Sequence, residues 1–141
     1  MIIIGNDHGG YELGMKLFSL MLEKQWHVRH IGCCSTTPTN YPSFAQRMAE
    51  ELGESYHIKG ILICGTGIGM CMAANRHHGV RAALCERPSD AILAREHNDA
   101  NVLCLAGRRL TLDDAWPVVR KFIFTDFSHE QRHVERLGMF E

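Results

Sequence analysis

The chain has 141 residues, 45% of them hydrophobic, which suffices for one domain with a real core and argues against a second, so a single domain over 1–141 is expected. Fifteen Lys and Arg against sixteen Asp and Glu leave a net charge of -1, which excludes a global field drawing nucleic acid or an anionic membrane; any anion must be met by a local cluster. The apolar start is broken at once by Asp7 and His8 with no basic segment before it, so neither a signal peptide nor a membrane span is expected and the expected compartment is the cytoplasm.

Short runs of Ile, Val and Leu alternate with amphipathic stretches, the pattern of strand and helix units feeding a parallel sheet. The first strand is predicted over 2–5 and ends in Asn6-Asp7-His8-Gly9-Gly10. A helix over 11–24 follows, with Leu13, Leu17, Leu20 and Met21 on one stripe. A second strand is predicted over 27–31, and 32–41 has no period and reads as the longest loop. Pro42 suits the first turn of a helix that runs through Phe44, Ala45, Met48, Ala49 and Leu52. The third strand, 60–64, leads into Gly65-Thr66-Gly67-Ile68-Gly69 and a helix through Met72 and Ala73.

The fourth strand is predicted over 80–85, and Ser89 is the expected cap of a helix through Ala91, Leu93 and Ala94. After a fifth strand over 102–105, Pro117 places the start of the next helix near Asp113 or Asp114, because a proline deep inside loses a hydrogen bond and clashes with the preceding turn. Ser128 and Gln131 have the spacing of a capping box for a short last helix that carries Arg132 and Arg136 on one face. Together these elements predict an α/β fold, a Rossmann-like three-layer sandwich around a five-stranded parallel sheet, with ligands beyond the carboxyl ends of the strands.

That rule directs attention to Cys64 and the glycine loop. Glycines allow close backbone approach, and amides at a helix start carry partial positive charge, so the loop can hold a phosphate or an enediolate oxygen; a turn needed only for packing is the alternative. The same amides favour a thiolate at Cys64, which can then act as base or nucleophile, against the reading of a cysteine that merely ends an apolar strand. Glycines at 65, 67 and 69 partly imitate a dinucleotide fingerprint; the third position of that motif falls on Met70, and the loop follows the third strand rather than the first, while Glu86 after the next strand could bind a ribose hydroxyl and keeps this reading as an alternative.

Asp7 and His8 should approach the same edge, where Asp7 can relay hydroxyl protons and His8 can bind phosphate; a helix cap beside a solvated histidine is the alternative. Arg132 and Arg136, with Arg108 after the last strand, can form a phosphate cluster or simply a solvated face. His97 precedes the fifth strand and should lie about 13–17 Å from Cys64, the length of a strand. If both act in one reaction, a second subunit must bring them together; a cation at a helix end is the other reading of His97. Six cysteines without a CxxC pair point to no disulfide framework or zinc site, and the histidines at 27, 30, 57, 77, 78, 129 and 133 show no ligand spacing and read mostly as surface residues.

Taken in order, Asp7-His8, Asn40-Tyr41-Pro42, Cys64-Gly65-Thr66-Gly67-Ile68-Gly69, Ala73-Ala74-Asn75, Val80-Arg81-Ala82-Ala83, His97-Asn98-Asp99, Gly107-Arg108, and Arg132-His133 with Arg136 resemble the family of type B ribose-5-phosphate isomerases and galactose-6-phosphate isomerase subunits, over nearly the whole chain. The resemblance implies an aldose–ketose isomerase of a phosphorylated sugar, foremost ribose 5-phosphate, working through an enediol or enediolate without metal or organic cofactor. It implies that His97 assists ring opening, that Cys64 moves the proton between carbons 1 and 2, and that Thr66 with the amides of Gly65, Gly67, Ile68 and Gly69 steadies the negative oxygen. Asp7 and Tyr41 would contact sugar oxygens, Asn98 would support the substrate, and His8, Arg108, Arg132 and Arg136 would meet the phosphate. It further implies a homodimer or dimer of dimers with sites shared between subunits. Met70 stands where some relatives carry a catalytic glutamate, and Asn6 where relatives often carry Cys or Ser. A six-carbon or four-carbon aldose phosphate, or a non-catalytic phosphosugar-binding subunit, are the alternatives.

Overall fold

The apolar runs along the chain alternate in which way they face, and this alternation builds the fold. In the computed structural model, which describes residues 1–140, the elements run β1 (Ile2–Asn6), α1 (Tyr11–Glu23), β2 (Val28–His30), α2 (Tyr41–Leu52), β3 (Lys59–Cys64), α3 (Ile68–Ala74), β4 (Ala82–Leu84), α4 (Pro88–Asn98), β5 (Val102–Ala106), α5 (Leu112–Phe124) and α6 (Gln131–Leu137). All strand pairs are parallel and the order is β2-β1-β3-β5-β4. Successive strand residues point to opposite faces. Ile2, Ile4, Ile61, Ile63, Leu103 and Leu105 therefore pack under α1, α4 and α5, while Ile3, Leu62, Cys64, Val102 and Cys104 pack under α2 and α3. The three-layer α/β sandwich predicted from the pattern is the fold observed.

The chain leaves β1 toward β2 on one side and toward β3 on the other, so the topological switch point lies between β1 and β3. There Asn6 is paired with Ile63, one residue before Cys64. Crossover connections diverge at such a point and leave a crevice at the carboxyl ends of the strands.

Several boundaries differ from the sequence prediction for local reasons. The fourth strand is shortened to Ala82–Leu84 because the Asn75 side chain takes the place of a neighbouring strand, accepting from Ala82 N–H at 2.8 Å and donating to Ala82 C=O at 2.9 Å. Ser89 is not the cap of α4: Pro88 begins the helix after Arg87, and the Asp90 carboxylate accepts from the Glu86 and Arg87 amides at 3.2 and 3.1 Å. α5 begins at Leu112, ahead of the predicted start, because Thr111 and Asp114 close a capping box. Pro117 thus lies inside the helix, where its exposed face leaves the Asp113 carbonyl to water. Nor does Ser128 cap α6, whose cap position is Glu130; the Ser128 hydroxyl turns instead to His133 Nδ1 at 2.8 Å. No helix among the described residues is long and apolar enough to cross a membrane.

Candidate active site

The carboxyl edge of the sheet gathers most of the residues singled out in the sequence. Cys64 ends β3 and is buried on the α2/α3 face. Its carbonyl accepts from Gly107 N–H at 2.8 Å, and Gly65 C=O accepts from Arg108 N–H at 3.0 Å, which ties the glycine loop to the turn after β5. Gly67 takes the left-handed conformation, φ 73°, that reverses the chain into α3. Its N–H donates to Cys64 Sγ at 3.2 Å, and Ile68 N–H donates to Thr66 Oγ1 at 3.3 Å. The first-turn amides of Gly69 and Met70 have no acceptor within the helix, and since Met70 is fully buried while Gly69 is partly exposed, the Gly69 amide is the one a ligand oxygen can reach.

Glycines let three other groups close on this loop. A Cβ on Gly65 would stand 3.0 Å from Arg108 Nη1, and one on Gly69 would stand 2.8 Å from Tyr41 Cζ. Gly9 packs against the Gly65 backbone in the same way, with 2.9 Å between its would-be Cβ and Gly65 N. The loop after β1 is thereby pressed against the loop after β3, and Asp7 and His8 come with it. Asp7, only 4% exposed, accepts from Gly10 N–H at 3.0 Å through Oδ1 and so caps the 3-10 turn His8–Gly10.

His8 is held by Thr39, which the sequence reading missed. Thr39 N–H donates to His8 Nδ1 at 3.1 Å, and His8 N–H donates to Thr39 Oγ1 at 3.2 Å. Nδ1 accepts that bond, which leaves Nε2 as the ring's donor; Nδ1 also lies 3.8 Å from Asp7 Oδ2. Nothing in the spacing of residues 8 and 39 announces the pair, because it spans the loop that lacks a period.

Asn6, fully buried, bridges inward from the same turn: its Oδ1 accepts from His30 Nε2 at 2.7 Å, and its amide donates to Asp7 C=O at 3.1 Å and to Cys33 Sγ at 3.3 Å. His30 is therefore a partner in a half-buried network rather than a surface residue. Burial, aided by the positive charge of Arg47, holds it below the ordinary imidazole range.

The remaining site residues lie elsewhere. His97 and Asn98 occupy the last turn of α4, which leads into the amino end of β5. Since Gly60 pairs with Val102 and Cys64 with Ala106, His97 is at the far edge of the sheet from Cys64, about 13 Å along the strands. Arg132 and Arg136 project from α6, which packs on that same end through the contact of His133 with His97, ring centroids 4.3 Å apart. Arg132 and Arg136 are exposed, whereas His133, read from sequence as a surface residue, is 3% exposed. Within one chain, then, Arg108 does not meet the other two arginines. A groove lined by Arg76, His77, Arg81, Asn98, Leu137 and Phe140 opens on the His97 side.

Asp99 ends α4 in the left-handed region, φ 43°, and is fixed by Arg81 at 3.1 Å and Arg95 at 2.8 Å. These bonds give the Arg81 and Asp99 parts of the sequence motifs a structural task.

The chain is similar to known proteins over nearly its whole length. Residues 2–140 match the family described as ribose/galactose isomerase. The chain is 36% identical to ribose-5-phosphate isomerase B of Escherichia coli (strain K12), with 99% of this chain and 95% of that one covered. Among solved structures, it superposes on a ribose 5-phosphate isomerase of Thermotoga maritima with a TM-score of 0.93 at 39% identity, over 99% of this chain and 95% of that chain. It superposes on ribose-5-phosphate isomerase B of Mycoplasma genitalium, solved with bound ribulose 5-phosphate, with a TM-score of 0.90 at 38% identity, over 97% and 91% of the two chains.

Proposed function

We propose that this chain, which belongs to the ribose/galactose isomerase family, interconverts ribose 5-phosphate and ribulose 5-phosphate by proton transfer at Cys64. The chain is an aldose–ketose sugar-phosphate isomerase; the sugar and the base are the finer parts of the proposal. The observation that carries them is the convergence of Cys64, Thr66, Asp7 and His8 on the switch point of the sheet, beside first-turn amides without intrahelical acceptors.

In this reading the Cys64 thiolate takes the proton from carbon 2 of the open-chain aldose and returns it to carbon 1. The enediolate formed between the two steps places negative charge on an oxygen that the Gly69 amide and the Thr66 hydroxyl can face. Asp7, buried and anchored by Gly10, moves the proton between the two hydroxyl oxygens. Tyr41 lies over Gly69 and bounds the sugar, while His8 offers Nε2–H and Arg108 its guanidinium to polar oxygens of the substrate. Asn98 supports the substrate from the other half.

His97, Arg132 and Arg136 complete such a site only from a second copy, so the working unit is a homodimer, alone or paired with another. Exposed apolar side chains flank each half, Ile68 and Met72 on α3, Val134 on α6 and Phe140 beyond it, as a self-complementary contact needs. The test is an isomerisation assay with ribose 5-phosphate beside four-carbon and six-carbon aldose phosphates. Preferential ketose formation from ribose 5-phosphate supports the assignment; turnover of another aldose alone reassigns the substrate, and binding without any turnover indicates a phosphosugar-binding subunit.

A further inference from the structure

We infer that Ser128 and His133 are positioning residues that orient the His97 imidazole for opening the sugar ring. The inference rests on the proposed role of His97 and extends it to groups that do not touch the sugar. His133 is 3% exposed on a short helix whose arginines face solvent, so it is built into the fold rather than displayed. Its Nδ1 lies 2.8 Å from Ser128 Oγ, and that oxygen also accepts from Glu130 N–H at 3.3 Å. The hydroxyl holds the Glu130 amide with one lone pair and can donate to His133 Nδ1 or accept from it, and in either tautomer the bond fixes the plane of the ring.

The ring so fixed lies against His97, centroids 4.3 Å apart and planes inclined by 36°. Ser128 N–H also donates to the Glu96 carbonyl at 3.1 Å, the residue before His97. Below it, the buried Arg95 guanidinium donates to Thr125 C=O at 3.1 Å and to Ala100 C=O at 2.6 Å. Residues 125–128 therefore form a strap stitched to Arg95 and Glu96, the two residues before His97, and the Ser128–His133 pair closes it over the imidazole. Burial, with the neighbouring charges of His97 and Arg132, holds His133 below the ordinary imidazole range.

A side chain held at one rotamer gives up less alignment when the reaction needs it, and small misplacements of a catalytic group are expensive in rate. The test compares Ser128→Ala, Ser128→Thr and His133→Phe with ribose 5-phosphate, whose ring must be opened, and follows the melting temperature of each variant beside its kinetics. For Ser128→Ala and His133→Phe we expect kcat to drop by about tenfold at nearly constant KM and at the wild-type melting temperature, and Ser128→Thr to retain the wild-type rate. A loss of rate matched by a lower melting temperature, or shared by Ser128→Thr, would mark a structural role only, and unchanged kinetics would mark none; either overturns the pair. Wild-type protein inactive on ribose 5-phosphate would instead overturn the functional reading beneath it.

Discussion

Replacing Cys64 by Ala removes one sulfur and leaves in place the backbone bonds from Gly107 and Arg108 that hold the loop. Turnover of ribose 5-phosphate is expected to fall by about 10²–10⁴-fold, the usual weight of a positioned base, while the variant still unfolds cooperatively in a thermal melt. Mutation is a cleaner test than alkylation, because a hydrogen bond with Cys104 draws the half-buried Cys71 thiol down to about 7, which makes it a competing target for a thiol reagent. Burial pushes Cys85 up to about 12 and keeps it inert. The two histidines that the fold keeps below their ordinary range, His30 and His133, set a pH dependence of stability. In both, the unfolded chain binds the proton more readily than the folded one. Their contribution is therefore full above the unfolded value of about 6.5 and is lost as pH falls through the folded value. Melting temperature should drop on acidification below about pH 6.5, and His30→Gln should drop less over the same range; an identical drop would remove His30 from the account.

The glycine loop and the strands that feed it behave as a unit at the next scale. Gly67→Ala would force an L side chain into φ 73° with its Cβ 2.5 Å from Leu84 Cδ1 and 3.0 Å from the Leu105 carbonyl. The left-handed conformation alone costs about 1–2 kcal/mol, and the contacts add to it, so both melting temperature and activity should fall. Retention of both would show that the turn relaxes without loss. The strands and the faces of α1 and α2 were legible in the sequence because burial imprints periods of two and 3.6 directly on composition. The element ends were not, since they depend on which side chain reaches which amide: Asp90 rather than Ser89 at α4, Asn75 as a substitute strand beside β4, Ser128 turned toward His133.

For the whole molecule, the sequence indicated that Cys64 and His97 occupy opposite edges of the sheet, and the register of β3 with β5 agrees. Two partnerships behind the candidate residues, Thr39 with His8 and the Thr125 carbonyl with Arg95, were silent because they join segments far apart in the chain. The proposed sharing of sites predicts that inactive Cys64→Ala and His97→Ala proteins, mixed and allowed to exchange subunits, recover about one quarter of wild-type activity. Half of randomly paired dimers are hybrid, and each hybrid holds one intact site of two. No recovery after demonstrated exchange would count against it.

The same separation of Cys64 from His97 carries a kinetic consequence. An enzyme whose chemistry is divided between two copies has no competent monomer, so its initial rate is not proportional to the amount of protein at every dilution. Below the dissociation constant of the pair the rate should grow as the square of protein concentration, and above it linearly, so the bend in that plot reports the strength of the subunit contact from a sugar assay alone.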